Sequence, residues 1–407
     1  MTDNKTIIDP VFGFIKVPRG LLLSIIKHPL MQRLTRIKQL GLASVVYPGA
    51  QHTRFQHSLG AFHLMGEAIQ TLTQKGIFIF DSEAEAIQAA ILMHDIGHGP
   101  FSHVLENTLI SGISHEDISL MMMECINKDL NGELTLALKI FKNEYPKRFL
   151  HQLISSQLDM DRLDYLRRDS FFTGVTEGNI GSARIIKMLN VVDDNLVIDY
   201  KGIYSIENYL TSRRLMYWQV YLHKTTVAYE KVLVNALRRA KKLTLEGKKL
   251  FASPALSYFL VNKVDAEWFH THPEALEHYS QLDDSDIWSA LKVWRNDDDK
   301  ILSLLSEDLL DRHIFKVEVR EVPPTDEEIA QLKVMLREKY AVTDEDTEYL
   351  MSLNTIQKDM YDIHDDHISI RYHDGTLKDI TEASEILNVQ LLSKKIRKYY
   401  LCYQRMS

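Results

Sequence analysis

Residues 91–103 read ILMHDIGHGPFSH, and this stretch constrains the fold more than any other. An apolar run, Ile91-Leu92-Met93, leads directly into His94, Asp95, His98 and His103, and Gly97, Gly99 and Pro100 break the chain between them. Buried polar groups have to be hydrogen-bonded, paired or coordinated. A helix that drives its apolar side into imidazoles and a carboxylate therefore needs partners from elsewhere in the chain. Imidazole and carboxylate together suit Mn²⁺, Fe or Zn²⁺. Neighbouring side chains on a helix diverge by about 100°, so an ion touching both His94 and Asp95 sits off the axis and needs further ligands. His57, in the first turn of an earlier helix, and Asp161, on a later one, are the candidates. The plain alternative, that each histidine is a hydrogen-bonded core residue, fits a lone histidine far better than this cluster.

Local signals place those residues. Pro29 predicts a helix through Leu40, stopped by Gly41. Thr53 with Gln56 is a capping box that opens the helix carrying His57. Ser82 with Glu85 predicts the start of the helix that runs into His94-Asp95, and Pro100 predicts the first turn of the next. Ser114 with Asp117 is a weaker start signal. Long helices are expected from Ser156 to Asp169 and from Ile206 to about Leu243. The end of the chain differs: FKVEVR (315–320) and HISIRY (367–372) alternate like strands, Asp374-Gly375 is a turn signal, and Glu327–Lys339 reads as a helix. The expected organisation is a helical domain over residues 1–300 and an α/β lobe over 301–407 serving assembly or regulation. The boundary falls near the acidic run Asn296-Asp297-Asp298-Asp299.

Composition narrows the function. Two cysteines in 407 residues leave no disulfide framework and no cysteine-based zinc site. That fits a reducing cytoplasm. MTDNKTIIDP is not patterned as a signal peptide, and no apolar run approaches the ~20 residues of a membrane span. A net charge of −8 argues against nucleic acid as the general partner. Two helical stripes remain: Asp161, Tyr165 and Asp169 at i, i+4, i+8, and Arg213, Tyr217 and Tyr221 on one face of the later helix. Each reads either as a solvated or packed face or as a set of phosphate and ligand contacts. The basic stretch Lys231–Lys249 reads either as a solvated helix face or as a surface for a nucleotide- or nucleic-acid-binding regulator without turnover.

Six ordered segments carry a family resemblance: DPVFGFI (9–15), QRLTRIKQLG (32–41), YPGAQHTRFQHSLG (47–60), HDIGHGPFSH (94–103), DMDRLDYLRRD (159–169) and RRLMYWQVYLHK (213–224). Together they resemble the HD-domain metal phosphohydrolases, and among these the deoxynucleoside triphosphate (dNTP) triphosphohydrolases related to the catalytic part of the SAM-and-HD-domain proteins, without a SAM domain. The resemblance implies a mainly α fold, an HD-domain helical core with a smaller mixed α/β C-terminal lobe. It implies His57, His94, Asp95 and Asp161 as ligands of one divalent ion, Mn or Fe foremost, with Zn, Ni or Mg as alternatives. Arg54, Arg162 and Arg213 would hold the triphosphate, Arg162 standing where lysine is usual. His98 and His103 would sit at the α-phosphate, and Glu106 and His115 would form a supporting acid–base pair. Gln39, Leu40, Tyr165, Asp169 and Tyr221 would surround the deoxyribose.

The reaction so implied is attack of water at the α-phosphorus, giving a deoxynucleoside and tripolyphosphate. An alkoxide is a poor leaving group, so a histidine acid is needed; His103, at i, i+3 from Glu106, is the candidate, with His98 stabilising charge on the phosphate. The resemblance also implies a homodimer or homotetramer. Departures bear on regulation. Phe12 and Tyr217 stand where relatives carry histidine, and Lys27 and Thr35 replace the acid and arginine of the mammalian guanine-nucleotide activator site. GTP-type activation is therefore not expected, while another deoxynucleotide effector stays open. Another HD phosphohydrolase, acting on nucleoside monophosphates, alarmones or cyclic dinucleotides, is the alternative enzyme.

Overall fold

The computed structural model describes residues 4–106, 108–358, 367–384 and 396–405. The N-terminal strands β1 (Asn4–Asp9) and β2 (Gly13–Pro18) form an antiparallel hairpin. The helical body follows: α1 (Arg54–Gln74), α2 (Asp81–Met93), α3 (His115–Asp129) and α4 (Met160–Thr173). After a second hairpin, β3 (Leu189–Val192) and β4 (Asn195–Asp199), come α5 (Ile203–Met216), α6 (Lys224–Leu245) and, later, α7 (Lys300–Asp311). α1 packs between α2 and α4, which brings His57, His94 and Asp161 to one place. The chain closes with β5 (Lys316–Arg320), α8 (Asp326–Tyr340), β6 (Met351–Lys358), β7 (Ser369–Arg371), β8 (Leu377–Asp379) and β9 (Ile396–Tyr403). The fold is mainly α with a smaller sheet-containing C-terminal region. Among the described residues no helix is long and apolar enough to cross a membrane.

The last hundred residues feed two sheets. β5, β9 and β6 form one, with β9 antiparallel to both neighbours. β7 instead pairs parallel with β4, so that β8, β7, β4 and β3 make a sheet on the helical body. α7 packs along α6.

Capping chemistry explains the starts of α1 and α3, where Thr53–Gln56 and Ser114–Asp117 are both capping boxes. Other expected boundaries are corrected. The helix opened by Pro29 ends at Arg33 and tightens to a 3₁₀ turn, Leu34–Arg36, instead of reaching Leu40. There the backbone turns away to pair with the chain before α1: Arg54 N–H donates to the Ile37 carbonyl and Gln39 N–H to the His52 carbonyl, each at 3.0 Å. α2 starts at Asp81, and the carboxylate that takes the orphan Phe80 N–H is Glu83, not Glu85. α4 starts at Met160, capped by Asp159, whose carboxylate accepts from Arg162 N–H at 2.7 Å. Pro100 opens no helix: residues 100–102 are a turn, and a single helical turn, His103–Glu106, follows. The helix expected over Ile206–Leu243 is two helices separated by a π turn, Tyr217–Tyr221.

Candidate active site

His57, one turn into α1, is fully buried, and His94 caps the end of α2. Their Nε2 atoms face each other at 3.2 Å. Asp161 Oδ1 lies 3.0 Å from His57 Nε2 and 3.4 Å from His94 Nε2. Asp95 lies beside them, with Oδ2 3.7 Å from His57 Nε2 and Oδ1 3.5 Å from His94 Nε2. Each imidazole is held from behind: His57 Nδ1 meets Asp164 Oδ2 at 2.6 Å, and His94 Nδ1 meets the Ile91 carbonyl at 2.6 Å. Both Nε2 atoms are thereby turned toward the two carboxylates, the tautomer and orientation a metal ligand requires. His57, His94 and Asp161, braced in this way, form a group that fits a divalent cation, with Asp95 beside it.

The brace reaches deep into the core. Arg168, one turn after Asp164, donates to both oxygens of Asp164 and to Asp9 at the end of β1. Gly60 makes room for it: a Cβ there would lie 1.8 Å from Asp164 Oδ1 and 2.2 Å from Arg168 Nη2. Burial lowers the pKa of His57, but hydrogen bonds to Asp161 and Asp164 and the charge of Asp95 outweigh it and raise the group to about 10.

The turn after Asp95 depends on its glycines. Gly97 lies so close to α3 that a Cβ would sit 2.2 Å from both the His115 carbonyl and Ser119 N. Ser119 Oγ accepts from Gly97 N–H and donates to the His94 carbonyl, each at 2.9 Å, and the buried Arg33 donates to the Ile96 and His98 carbonyls. Phe101 and Ser102 both have positive φ, 52° and 20°, a conformation that L residues hold only under tertiary constraint. Part of that constraint is Arg54, which donates to Asp95 Oδ2 at 2.6 Å and to Ser102 Oγ at 2.9 Å.

Next to the cradle, the His98 ring stacks on His115 with centroids 3.9 Å apart, and His98 Nε2 is 3.3 Å from Asp95 Oδ1. His115 Nδ1 meets Glu106 Oε1 at 3.2 Å. Burial and the Arg54 charge push His98 down to about 3. Burial also lowers His115, yet Glu106 beside it brings it above its usual value. The side chain of His103 lies outside the described residues.

α4 links the cradle to a second group. Tyr165 lies one turn beyond Asp161, its ring 6.5 Å from that of His57 and edge-on to Tyr221 at 6.0 Å. Asp169, a turn further, accepts from Tyr221 Oη at 2.8 Å and pairs with His52 Nε2 at 2.8 Å. Tyr217 packs edge-on to Tyr221. Gln39 and Leu40 follow the strand-like segment paired with His52, and Gln39 Oε1 is buried without a protein partner. Arg213 Nη1 donates to Gln157 Oε1 at 3.0 Å, and Arg162 is held by Asp159. Sequence reasoning missed Asp164, His52 and Gln157. Asp164 carried a signal, its i, i+4 spacing to Arg168; His52 and Gln157 carried none.

Several cations of the basic stretch are paired within the chain, most of them near the surface. Arg239 pairs with Asp299 and Asp346, Lys242 with Glu345, Lys248 with Asp297 and Asp298, and Lys241 donates to the Leu109 carbonyl.

The HD-domain model matches residues 54–169, the span from the first ligand helix to Asp169, and the HD-associated-region model matches residues 180–253. The chain is 32% identical to the Bacillus subtilis protein YwfO over 416 residues, covering 99% of this chain and 92% of that one. The chain belongs to the HD-domain phosphohydrolase family. A crystal structure of a phosphohydrolase from Bacteroides thetaiotaomicron superposes with a TM-score of 0.97 at 66% identity, covering 99% of this chain and 100% of that one. Human deoxynucleoside triphosphate triphosphohydrolase SAMHD1 is 31% identical over 280 residues, 58% of this chain and 44% of the human protein. This HD-domain chain thus spans less than half of that relative's length.

Proposed function

We propose that the chain hydrolyses dNTPs, with water attacking the α-phosphorus and the 5′-oxygen leaving, to give a deoxynucleoside and inorganic tripolyphosphate. The observation that carries this reading is the layout of α4. One face bears Asp161 in the metal cradle, then Tyr165, then Asp169 with Tyr221 and His52. Each step of four residues rises about 6 Å. A phosphate beside Asp161 then leaves a sugar beside Tyr165 and Asp169, where a carboxylate and a phenol are set for hydroxyl groups. The similarity to proteins named as dNTP triphosphohydrolases, human and Dictyostelium, supports the same substrate class.

His57, His94, Asp95 and Asp161 would hold the ion. When bound, a divalent metal supplies Lewis acidity for a phosphoryl oxygen and lowers the pKa of water. The protein's own groups do the rest. Asp164 and the Ile91 carbonyl keep the imidazole Nε2 atoms aimed. Arg162 and Arg213 supply fixed positive charge near the start of α4 for the phosphate chain. His98, lowered by burial and the Arg54 charge, would offer a hydrogen bond to the phosphate, and His103 would give the leaving 5′-oxygen its proton. Glu106 keeps His115 protonatable against His98. The runner-up is turnover of another phosphate ester. A non-catalytic regulator is the less favoured reading, since Arg239, Lys242 and Lys248 of the basic stretch pair with acids of the same chain.

The test is a screen of the four dNTPs, singly and mixed, with Mn²⁺, Fe²⁺, Zn²⁺, Ni²⁺ and Mg²⁺, with products separated by chromatography. Tripolyphosphate from at least one dNTP is expected. Orthophosphate or pyrophosphate as the sole inorganic product would show cleavage of a phosphoanhydride bond instead, and no turnover of any dNTP would assign the site to another phosphate ester.

A further inference from the structure

The sugar side of the site is built on irregular backbone. Between α5 and α6 the Tyr217–Tyr221 segment is a π turn, closed by Leu222 N–H donating to the Tyr217 carbonyl at 2.7 Å. π turns displace carbonyls from their usual helical donors and persist where surrounding groups hold them. Two tyrosine hydroxyls, from opposite ends of the chain, take on that task. Tyr47 donates to the Gln219 carbonyl, and Tyr400 on β9 donates to the Leu222 carbonyl at 3.1 Å. Lys398, two residues earlier and so on the same face of β9, sets its ammonium 4.1 Å from the centroid of the Trp218 ring. Tyr221, inside the segment so held, is the residue whose hydroxyl reaches Asp169.

We propose that Tyr400 is a positioning residue. By holding the Leu222 carbonyl it fixes the π turn, and with it the Tyr221–Asp169 contact, so that the sheet of β5, β9 and β6 sets the substrate affinity of the pocket. The link to substrate rests on the proposed dNTP reaction; the clamp itself does not.

Tyr403 supplies the control. It lies on the same strand and also gives one hydroxyl hydrogen bond, to Glu318 Oε1 at 2.7 Å, away from the π turn. The experiment compares Tyr400→Phe and Tyr403→Phe in the full chain loaded with Mn²⁺, by amide hydrogen exchange and by dNTP kinetics. Exchange over residues 217–224 should speed up in Tyr400→Phe only. KM for the dNTP should rise about three- to tenfold in that variant, as for the loss of one hydrogen bond, with kcat and bound Mn²⁺ unchanged. Equal behaviour of the two variants, or unchanged exchange at 217–224 in Tyr400→Phe, overturns the proposal. If the wild-type chain turns over no dNTP, the exchange result still decides the clamp, and only the assigned reaction falls.

Discussion

The proposed metal cradle and the proposed sugar-side group share α4 but are built by different means. In the cradle the ligands sit on or at the ends of regular helices, and the imidazoles have a second partner behind them: Asp164 for His57 and the Ile91 carbonyl for His94. In the pocket, Tyr221 comes from a π turn, Gln39 from a chain that leaves its helix early, and His52 from the segment paired with it. Rigid, locally capped elements carry the chemistry that must be placed to fractions of an ångström. Irregular backbone, held by contacts from remote parts of the chain, shapes recognition. The two parts should therefore fail differently when altered.

The largest effect belongs to the cradle. Asp161→Ala or His94→Ala should cost more than the ~100-fold in metal affinity that loss of a supporting residue can cost, and should abolish hydrolysis. Metal analysis of the purified variants checks this, and retained stoichiometric metal in either would break the cradle as drawn. Next, Asp164→Asn keeps the shape but removes the charge behind His57, and should weaken metal binding about 10–100-fold. Titration with Mn²⁺ measures it, and KM for the dNTP in the metal-saturated variant should stay near that of the wild type. Third, because the ion-free His57 has a pKa raised to about 10, metal binding must displace its proton at neutral pH. Apparent affinity should thus fall about tenfold for each unit the pH is lowered between 8 and 6, by competition with one proton. A flat profile would show that His57 carries no proton to displace. Smallest, Tyr221→Phe removes the hydroxyl on Asp169 and should raise KM about three- to tenfold with metal content intact. Loss of metal in that variant would erase the distinction between the two parts.

Legibility in the sequence follows the same division. Thr53–Gln56 announces α1 because a cap is a local event, and His94-Asp95 stands out because imidazole and carboxylate interrupt an apolar run. The convergence of the four proposed ligands needed only helices in the right places. The π turn was invisible: the apolar pattern continues from α5 into α6, and nothing in the residue types marks one more residue per turn. Pro100 misleads because its fixed φ suits a first helical turn, whereas Arg54 and the close approach of Gly97 to α3 keep residues 97–102 out of a helix. The basic run Lys231–Lys249 showed its cations but not their acids, which lie far along the chain, at Asp297–Asp299 and Glu345–Asp346.

The central claim is that this cradle directs water onto the α-phosphorus of a dNTP. The most direct measurement is hydrolysis in ¹⁸O-labelled water by the Mn²⁺-loaded chain, with mass analysis of both products. The account predicts one ¹⁸O in tripolyphosphate and none in the deoxynucleoside, with no turnover by Asp161→Ala. Label in the deoxynucleoside, or release of a deoxynucleoside monophosphate or diphosphate, would contradict it.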